Sequence, residues 1–541
     1  MAYRRQSDSA IRLPPSPDRI VLLGGLSTAP ARASRLRLPQ LVALVVLAST
    51  CFLGGMYVDR SSTAAVDSVV PSALAAASSR SRSSWSKVAP PPSCRLCDAD
   101  PSNPLCEYGD SAIRMSRAFE GSGVRVRKFL AKALRGDEVK IGVIGASVTA
   151  GHGLDHGGHV AGPSYPYRWL AEFQKTFPRA TLFDGSAPAM DSAFYSYCYR
   201  AMVPEPDIDL WLVELDINND NSQDTMRADD ILMRSLLSQP NEPAVIRLSV
   251  LALLFDDMAR GAVSTLLLSQ FFDVPVISIK NFLLPAHIAN PDDVPNWFTK
   301  FWDGKPDTRH VNIRGHTALA DMLSLYMHEQ TCITRQEQAR GRLGAKKGSF
   351  WPADELWGTV PRLRAWEKFS PTDRVDHVEP TCRFASSKSH PLVPLGASKN
   401  LGAVPVGAIG GGDGSASLAP ESMGDGWQRI EWNDKAALAS REVGSVVRFE
   451  VEGSTIGVSV WQWAGPPHGL PHELPGQASC WVDDQTFDAT IVDAFSPGPA
   501  GSRWFQVADG LSTGKHVVSC QIVRASSTTG HEVRIMGIVS H

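Results

Sequence analysis

No Asn-x-Ser/Thr triplet occurs anywhere in the 541 residues, so N-linked glycosylation is not expected. No Gly-x-x-x-x-Gly-Lys-Ser/Thr phosphate loop is present, and Gly151-His152-Gly153 lacks a third glycine at the spacing that cradles a dinucleotide. Charge of one sign is also missing. The 53 Lys and Arg nearly balance 56 Asp and Glu, leaving a net charge of -3, and no basic stripe interleaved with aromatics is available to track a phosphate backbone. The sequence therefore gives no reason to expect a nucleotide cofactor or a nucleic-acid partner.

What the chain does have is length and an ordinary globular composition, enough for two folded domains plus segments that form no core. Residues 1–40 carry Arg4, Arg5, Arg12, Arg19, Arg32, Arg35 and Arg37, and residues 41–58 carry no charge. An uncharged run of about 18 residues is near the lower limit for a bilayer-spanning helix. The arginines ahead of it predict a cytosolic arm and a type II signal anchor; the arm is long for the n-region of a cleaved signal peptide. Residues 59–93 are rich in Ser, Ala and Pro and read as a flexible stem that cannot bury enough apolar surface to fold. A short anchor with such a stem predicts a single-pass protein of the secretory pathway, in the Golgi, with plasma membrane or secretion as alternatives.

Of the nine cysteines, Cys51 lies in the apolar run; the others are Cys94, Cys97, Cys106, Cys198, Cys332, Cys382, Cys480 and Cys520. An even number in an oxidising compartment predicts disulfides, with Cys480 and Cys520 paired because both lie in strand-like runs of the last domain. Cys94, Cys97 and Cys106 offer three zinc ligands without a fourth at suitable spacing, so no metal is expected there.

Across 94–331, apolar strand-like runs (139–144, 180–183, 210–215, 244–248, 274–279) alternate with helical patterns (167–177, 226–237, 257–271, 315–328). Such alternation predicts an α/β fold with a parallel sheet, whose ligands bind at the C-terminal strand ends. Ser147 directly follows the first run, and Asp307 and His310 lie three residues apart before the last helical pattern. A hydroxyl becomes a nucleophile when a base takes its proton, and the base acts best when a carboxylate fixes its tautomer. Ser147, His310 and Asp307 can supply those roles. His152, His156 and His159 share a Gly-rich loop but no helix face, which predicts a solvated loop and no metal site.

These residues carry a family resemblance. Gly145-Ala146-Ser147 with Thr149 and Gly151 resembles the first block of the SGNH (GDSL-type) hydrolases. Asp184-Gly185-Ser186-Ala187-Pro188-Ala189 resembles the second, Glu214-Leu215-Asp216-Ile217-Asn218-Asn219 the third, and Asp307-Thr308-Arg309-His310 the closing Asp-x-x-His block. The resemblance implies a flavodoxin-like three-layer SGNH hydrolase domain and cofactor-free, metal-free esterase chemistry. It assigns Ser147 as nucleophile, His310 as base, Asp307 as the group orienting His310, and the Ser147 N–H, Ala189 N–H and Asn218 amide as oxyanion donors. Ala146, Asp184, Ala189, Asn219 and Val311 stand where the family usually has Asp, Asn, Gly, Asp and Pro. A backbone donor survives the Gly-to-Ala change at Ala189 if φ is negative there.

Residues 332–401 read as an irregular strap in which Trp351, Trp357 and Trp366 anchor an extended chain, with a sugar-binding cleft wall as the alternative, and 402–419 as a Gly-rich linker. Within 420–541, alternating runs at 446–451, 455–460, 478–482, 504–507, 516–523 and 532–539 predict an all-β sandwich. Val482-Asp483-Asp484 followed by Gly510-Leu511-Ser512-Thr513-Gly514-Lys515-His516 looks like the jelly-roll module that accompanies some carbohydrate esterases. Trp461, Trp463 and Trp481 are candidates for stacking on sugar, with core packing the alternative for each and the expectation for Trp481, which lies inside a strand pattern. The expected protein is a membrane-anchored lumenal serine esterase that removes O-acyl, foremost acetyl, groups from a glycan or other ester substrate. A polysaccharide O-acetyltransferase using the same triad, or a non-catalytic glycan-binding protein on a hydrolase fold, are the alternatives.

Overall fold

The structure is a computed structural model that describes residues 93–541, except 157–158, 161–162, 256–257, 259, 302, 342–358, 373, 376–379, 386–417, 433–434, 466–473 and 499. The expected arm, anchor and stem, most of the linker, and Trp351 and Trp357 lie outside the described residues. Among the described residues no helix is long and apolar enough to cross a membrane.

The first part of the chain runs α1 (Gly109–Met115), β1 (Arg117–Phe119), α2 (Val124–Leu134), β2 (Val139–Gly145), a small hairpin of β3 (Asp155–His156) and β4 (His159–Val160), and α3 (Tyr165–Thr176). It continues through β5 (Ala180–Asp184), α4 (Ser192–Met202), β6 (Leu210–Glu214), α5 (Gln223–Leu237), β7 (Ala244–Ser249), α6 (Ala262–Phe271), β8 (Val276–Ser278) and α7 (Ile279–Ala289). A two-stranded ribbon, β9 (Phe298–Lys300) and β10 (Pro306–Val311), then leads into α8 (Ile313–Ala339).

The sheet order is β5-β2-β6-β7-β8-β1, with the first five strands parallel and β1 antiparallel at the edge. Apolar residues alternate between its faces. Ile144, Trp211, Val213 and Val245 pack with α4, α5 and α6, whereas Ile141, Val143, Leu210, Leu212 and Ile246 pack with α2, α3, α7 and α8. A sheet with two apolar faces needs helices on both, which produces three layers.

Side-chain caps set several boundaries: Asp191 accepts from Phe194 N at α4, Ser222 from Thr225 N at α5, Ser278 from Asn281 N at α7 and Asn312 from Arg314 N at α8. Ser278 ends β8 sooner than the apolar run at 274–279 suggested, because Ile279 already belongs to α7. At the other end of the fold, α8 runs through Cys332 to Ala339 and stops before Gly341, at φ 62°. The expected domain boundary between 331 and 332 therefore cuts through a helix.

The second part is a sandwich of two antiparallel sheets. Its strands are β11 (Thr381–Phe384), β12 (Ser422–Met423), β13 (Gln428–Trp432), β14 (Lys435–Ser440), β15 (Val446–Glu452), β16 (Ile456–Gln462), β17 (Gln477–Val482), β18 (Thr490–Asp493), β19 (Gly501–Ala508), β20 (Lys515–Ile522) and β21 (Val533–Ser540). One sheet has the order β13-β14-β21-β16-β19, with β11 also on β21; the other is β12-β15-β20-β17-β18. The alternation of β15 buries Val447, Phe449 and Val451 between them.

Three expectations change here. The strap does not stay irregular: β11 joins a sheet, Trp366 packs against the core, and Arg234 on α5 donates to the carbonyls of Pro361 and Leu363. Leu418, placed in the linker by composition, is buried in the sandwich. The tryptophans fall differently too: the core alternative holds for Trp461 and Trp463, and the core expectation for Trp481 does not. Trp461 and Trp463 are buried, with Lys435 over the former and Arg534 over the latter, while Trp481 lies half-buried on the outer face of its strand.

The eight cysteines pair as Cys94–Cys332, Cys97–Cys106, Cys198–Cys382 and Cys480–Cys520. Cys480 and Cys520 are partners on adjacent strands, and the thiols weighed as zinc ligands are consumed as disulfides.

Candidate active site

β2 is the first parallel strand, and its neighbours β5 and β6 lie on opposite sides of it. That is the point where the strand order reverses, and a crevice opens beyond the strand ends there. Three loops meet at it. The turn after β2 carries Ser147, the loop after β5 carries Ala189, and the loop after β6 carries Asn218. Two backbone bonds lock the strand ends together: Ala146 N donates to the Glu214 carbonyl at 3.1 Å, and Ala187 N to the Gly145 carbonyl at 2.9 Å.

The turn at Ser147 depends on Gly145. A Cβ there would lie 2.2 Å from Thr149 Oγ1, because Thr149 folds back over the strand end. Thr149 Oγ1 donates to Glu214 Oε2 at 2.8 Å and lies 3.0 Å from the Tyr165 hydroxyl, with all three residues buried. Burial drives the Glu214 carboxyl up to about 8; the Thr149 hydrogen bond opposes this and the charge of Asp216 adds to it. Glu214 is thus a neutral acid near pH 7, set beneath the turn.

His310 and Asp307 arrive on β10. His310 Nδ1 lies 2.6 Å from Asp307 Oδ2, and His310 Nε2 lies 2.9 Å from Ser147 Oγ. An ionised carboxylate only accepts, so Nδ1 of the neutral ring holds the proton and the lone pair of Nε2 faces the serine. Burial alone would raise the Asp307 carboxyl. The hydrogen bond and charge of His310, with the charge of Arg309 and the Arg309 N–H, outweigh that and hold it below the usual carboxylate range. The arrangement can take a proton from Ser147 without any group having to move far.

A buried support holds this chain in place. Gly153, at φ 96°, brings the Ser147 loop against β10, where a Cβ would meet the Val311 carbonyl oxygen at 2.1 Å. His152 packs edge-on against His310, with ring centres 5.3 Å apart. His316 on α8 accepts from Tyr165 N through Nδ1, leaving Nε2–H to donate to the His152 carbonyl. Burial lowers the His316 imidazole to about 4, so it stays neutral. Among the described residues no cluster of three or more His, Cys, Asp or Glu could hold a metal ion. The side chains of His156 and His159 lie outside the described residues.

Ala189 has φ 64°, so the condition for an unstrained alanine at that position is not met. The left-handed turn is held from both sides. Asn219 Oδ1 accepts from Ser192 N at 2.9 Å and its Nδ2 donates to Ser192 Oγ at 2.8 Å, while Ser192 Oγ donates to Asp229, itself paired with Arg247. Asn219 therefore ties the loop after β6 to the loop after β5, leaving the half-buried Asn218 at the crevice. Asp191 and Arg503 match no motif and lie far apart in the chain, so nothing local pointed to them. Asp191 Oδ2 accepts from Arg503 Nη1 at 2.9 Å, across from the sandwich.

No protein-family model matches the sequence, and no curated protein does. Among solved structures, the chain is similar to a two-domain esterase active on acetylated mannans, with 16% identity, 79% of this chain and 98% of that chain covered, and a TM-score of 0.51. A structure of a two-domain esterase of the same description, co-crystallised with mannopentaose, gives 16% identity, 79% and 97% coverage and a TM-score of 0.49. A protein of Parabacteroides merdae described as a GDSL-like lipase gives 11%, 36% and 96% coverage, and 0.28. The first of these likenesses spans both parts of the chain, which shares that protein's two-domain fold, a three-layer α/β domain followed by a β-sandwich.

Proposed function

We propose that this protein is a serine esterase that hydrolyses O-acyl groups, foremost acetyl, carried by a glycan. The observation that carries the proposal is the continuous chain from Asp307 through His310 to Ser147 Oγ at the switch point of the sheet. In the reaction, His310 Nε2 takes the Ser147 proton as Oγ attacks the acyl carbon, and Asp307 stabilises the resulting imidazolium. The carbonyl oxygen gains negative charge, which the Ser147 and Ala189 N–H groups and the Asn218 amide receive. His310 then protonates the departing sugar oxygen. Water repeats the sequence in reverse and frees the acid.

The glycan substrate class is inferred from the two-domain esterase active on acetylated mannans, whose fold this chain shares. The proposal further includes a type II anchor at 41–58 with the remainder in the Golgi lumen; its supports are the arginine-rich arm and eight cysteines paired as an oxidising compartment allows. The test is acetate release from acetylated mannan by the full chain and by its Ser147→Ala variant. Release that vanishes in the variant is expected. Release that persists overturns the assignment, and transfer to a sugar acceptor that outpaces hydrolysis would identify an acyltransferase instead.

A further inference from the structure

The sandwich meets the esterase domain chiefly on α4. Tyr197 stacks on Trp504 and on His541, with ring centres 5.2 and 5.8 Å apart, Phe194 meets Phe384 edge-on at 4.8 Å, and Cys198 is bonded to Cys382. Those contacts suffice to join the two parts. One further contact does something different. Arg503, on edge strand β19, reaches past the helix body to Asp191, the cap residue two positions beyond Ala189. The strand itself runs against the same loop, since a Cβ on Gly501 would lie 3.5 Å from the Ala189 carbonyl oxygen.

Both oxygens of Asp191 are used: Oδ1 accepts from Phe194 N at 3.0 Å and Oδ2 from Arg503. The carboxylate is almost fully buried. Burial pushes its proton affinity up, and Arg503 is the first opposing influence, ahead of the Phe194 N–H. Arg503 also acts on the second loop. Burial would raise the Asp220 carboxyl, but bonds from Ser222 and Thr225, with the charge of Arg503, hold it below the usual range. Asp220 directly follows Asn218 and Asn219. The guanidinium bonds the carboxylate on the first loop, and its charge also reaches the carboxylate on the second.

We propose that Arg503 is a positioning residue: from the sandwich it clamps the loop bearing Ala189 through Asp191, and Asn219, bonded to the adjacent Ser192, carries that hold to the loop bearing Asn218, setting the spacing of two oxyanion donors. The inference rests on the esterase reading above and deepens it. Ala189 sits in a left-handed conformation that an alanine does not hold unaided, so releasing Asp191 lets its N–H turn away from the crevice. Misplacing a catalytic donor by about 1 Å costs on the order of a hundredfold in rate.

The experiment measures kcat and KM of the full chain on 4-nitrophenyl acetate, a substrate with no sugar to bind. The variants are Arg503→Ala, Arg503→Lys, Asp191→Asn and the Arg503→Ala/Asp191→Asn pair, with Tm and the Cys198–Cys382 bond checked in each. The expected result is a folded Arg503→Ala protein whose kcat falls about ten- to hundredfold with KM little changed. Arg503→Lys should recover much of the loss, and the double variant should be no worse than the more affected single one. A folded Arg503→Ala protein with wild-type kcat overturns the clamp. So does full activity on 4-nitrophenyl acetate with a raised KM on acetylated mannan, which would make Arg503 a sugar contact. Wild-type turnover insensitive to Ser147→Ala overturns the esterase reading and the clamp with it, whereas Ser147-dependent turnover insensitive to Arg503→Ala removes the clamp alone.

Discussion

Ala189 shows how much local strain the site carries. A left-handed alanine costs roughly 1–2 kcal/mol, and glycine at such a position relieves it at the expense of some extra freedom in the unfolded chain. Ala189→Gly is expected to stabilise the protein by about 1 kcal/mol net, read as a rise in Tm, with kcat retained. Asp307→Asn removes the acceptor that keeps the His310 proton on Nδ1. Its kcat is expected to fall by a factor on the order of 10⁴ while the fold persists. At this scale the sequence was readable where a residue's place follows from a strand end. Ser147 follows the first apolar run, and the short Asp307–His310 spacing puts both residues on one strand leading into a helix. It was not readable where the two faces of a strand had to be told apart: Trp461 and Trp481 both sit among apolar neighbours, and only the pairing of sheets shows which face of each strand is covered.

The strand β6 ends in Glu214, whose carboxyl is buried under the Ser147 turn and raised to about 8. In the unfolded chain it ionises near 4.5, so between about 4.5 and 8 the folded state holds a proton that the unfolded state has released. Stability conferred by the neutral acid is therefore complete below pH 4.5 and is lost as pH rises to about 8. Glu214→Gln keeps an acceptor for Thr149 and cannot ionise. Thermal unfolding across this window is expected to show a flatter pH dependence for the variant than for the wild type; parallel curves would contradict the account. Element boundaries were legible where a cap marks them, as at Ser222 and Asn312. They were misjudged at α8, whose last turns carry polar residues and whose stop is set by Gly341.

At the scale of the molecule, the Cys198–Cys382 bond joins α4 to a strand 184 residues away in sequence. Closing so long a loop restricts the unfolded chain, and its loss typically costs about 2–4 kcal/mol. The Cys198→Ser/Cys382→Ser variant is expected to unfold at a lower temperature and to be cleaved faster by trypsin within the strap, as followed by gel and mass spectrometry. The two-part architecture was legible from the change in periodicity, helical before the strap and strand-like after it. The incorporation of β11 into β21 and the reach of Arg503 to Asp191 were not, because both join positions far apart in the chain that share no local pattern. The central claim at every scale is that this assembly activates one hydroxyl, and fluorophosphonate labelling of the full chain tests it most directly. The account predicts a covalent adduct on the peptide containing Ser147, absent in Ser147→Ala and strongly reduced in Asp307→Asn; a folded wild-type protein that takes up no label, or takes it up equally well without Ser147, would contradict it.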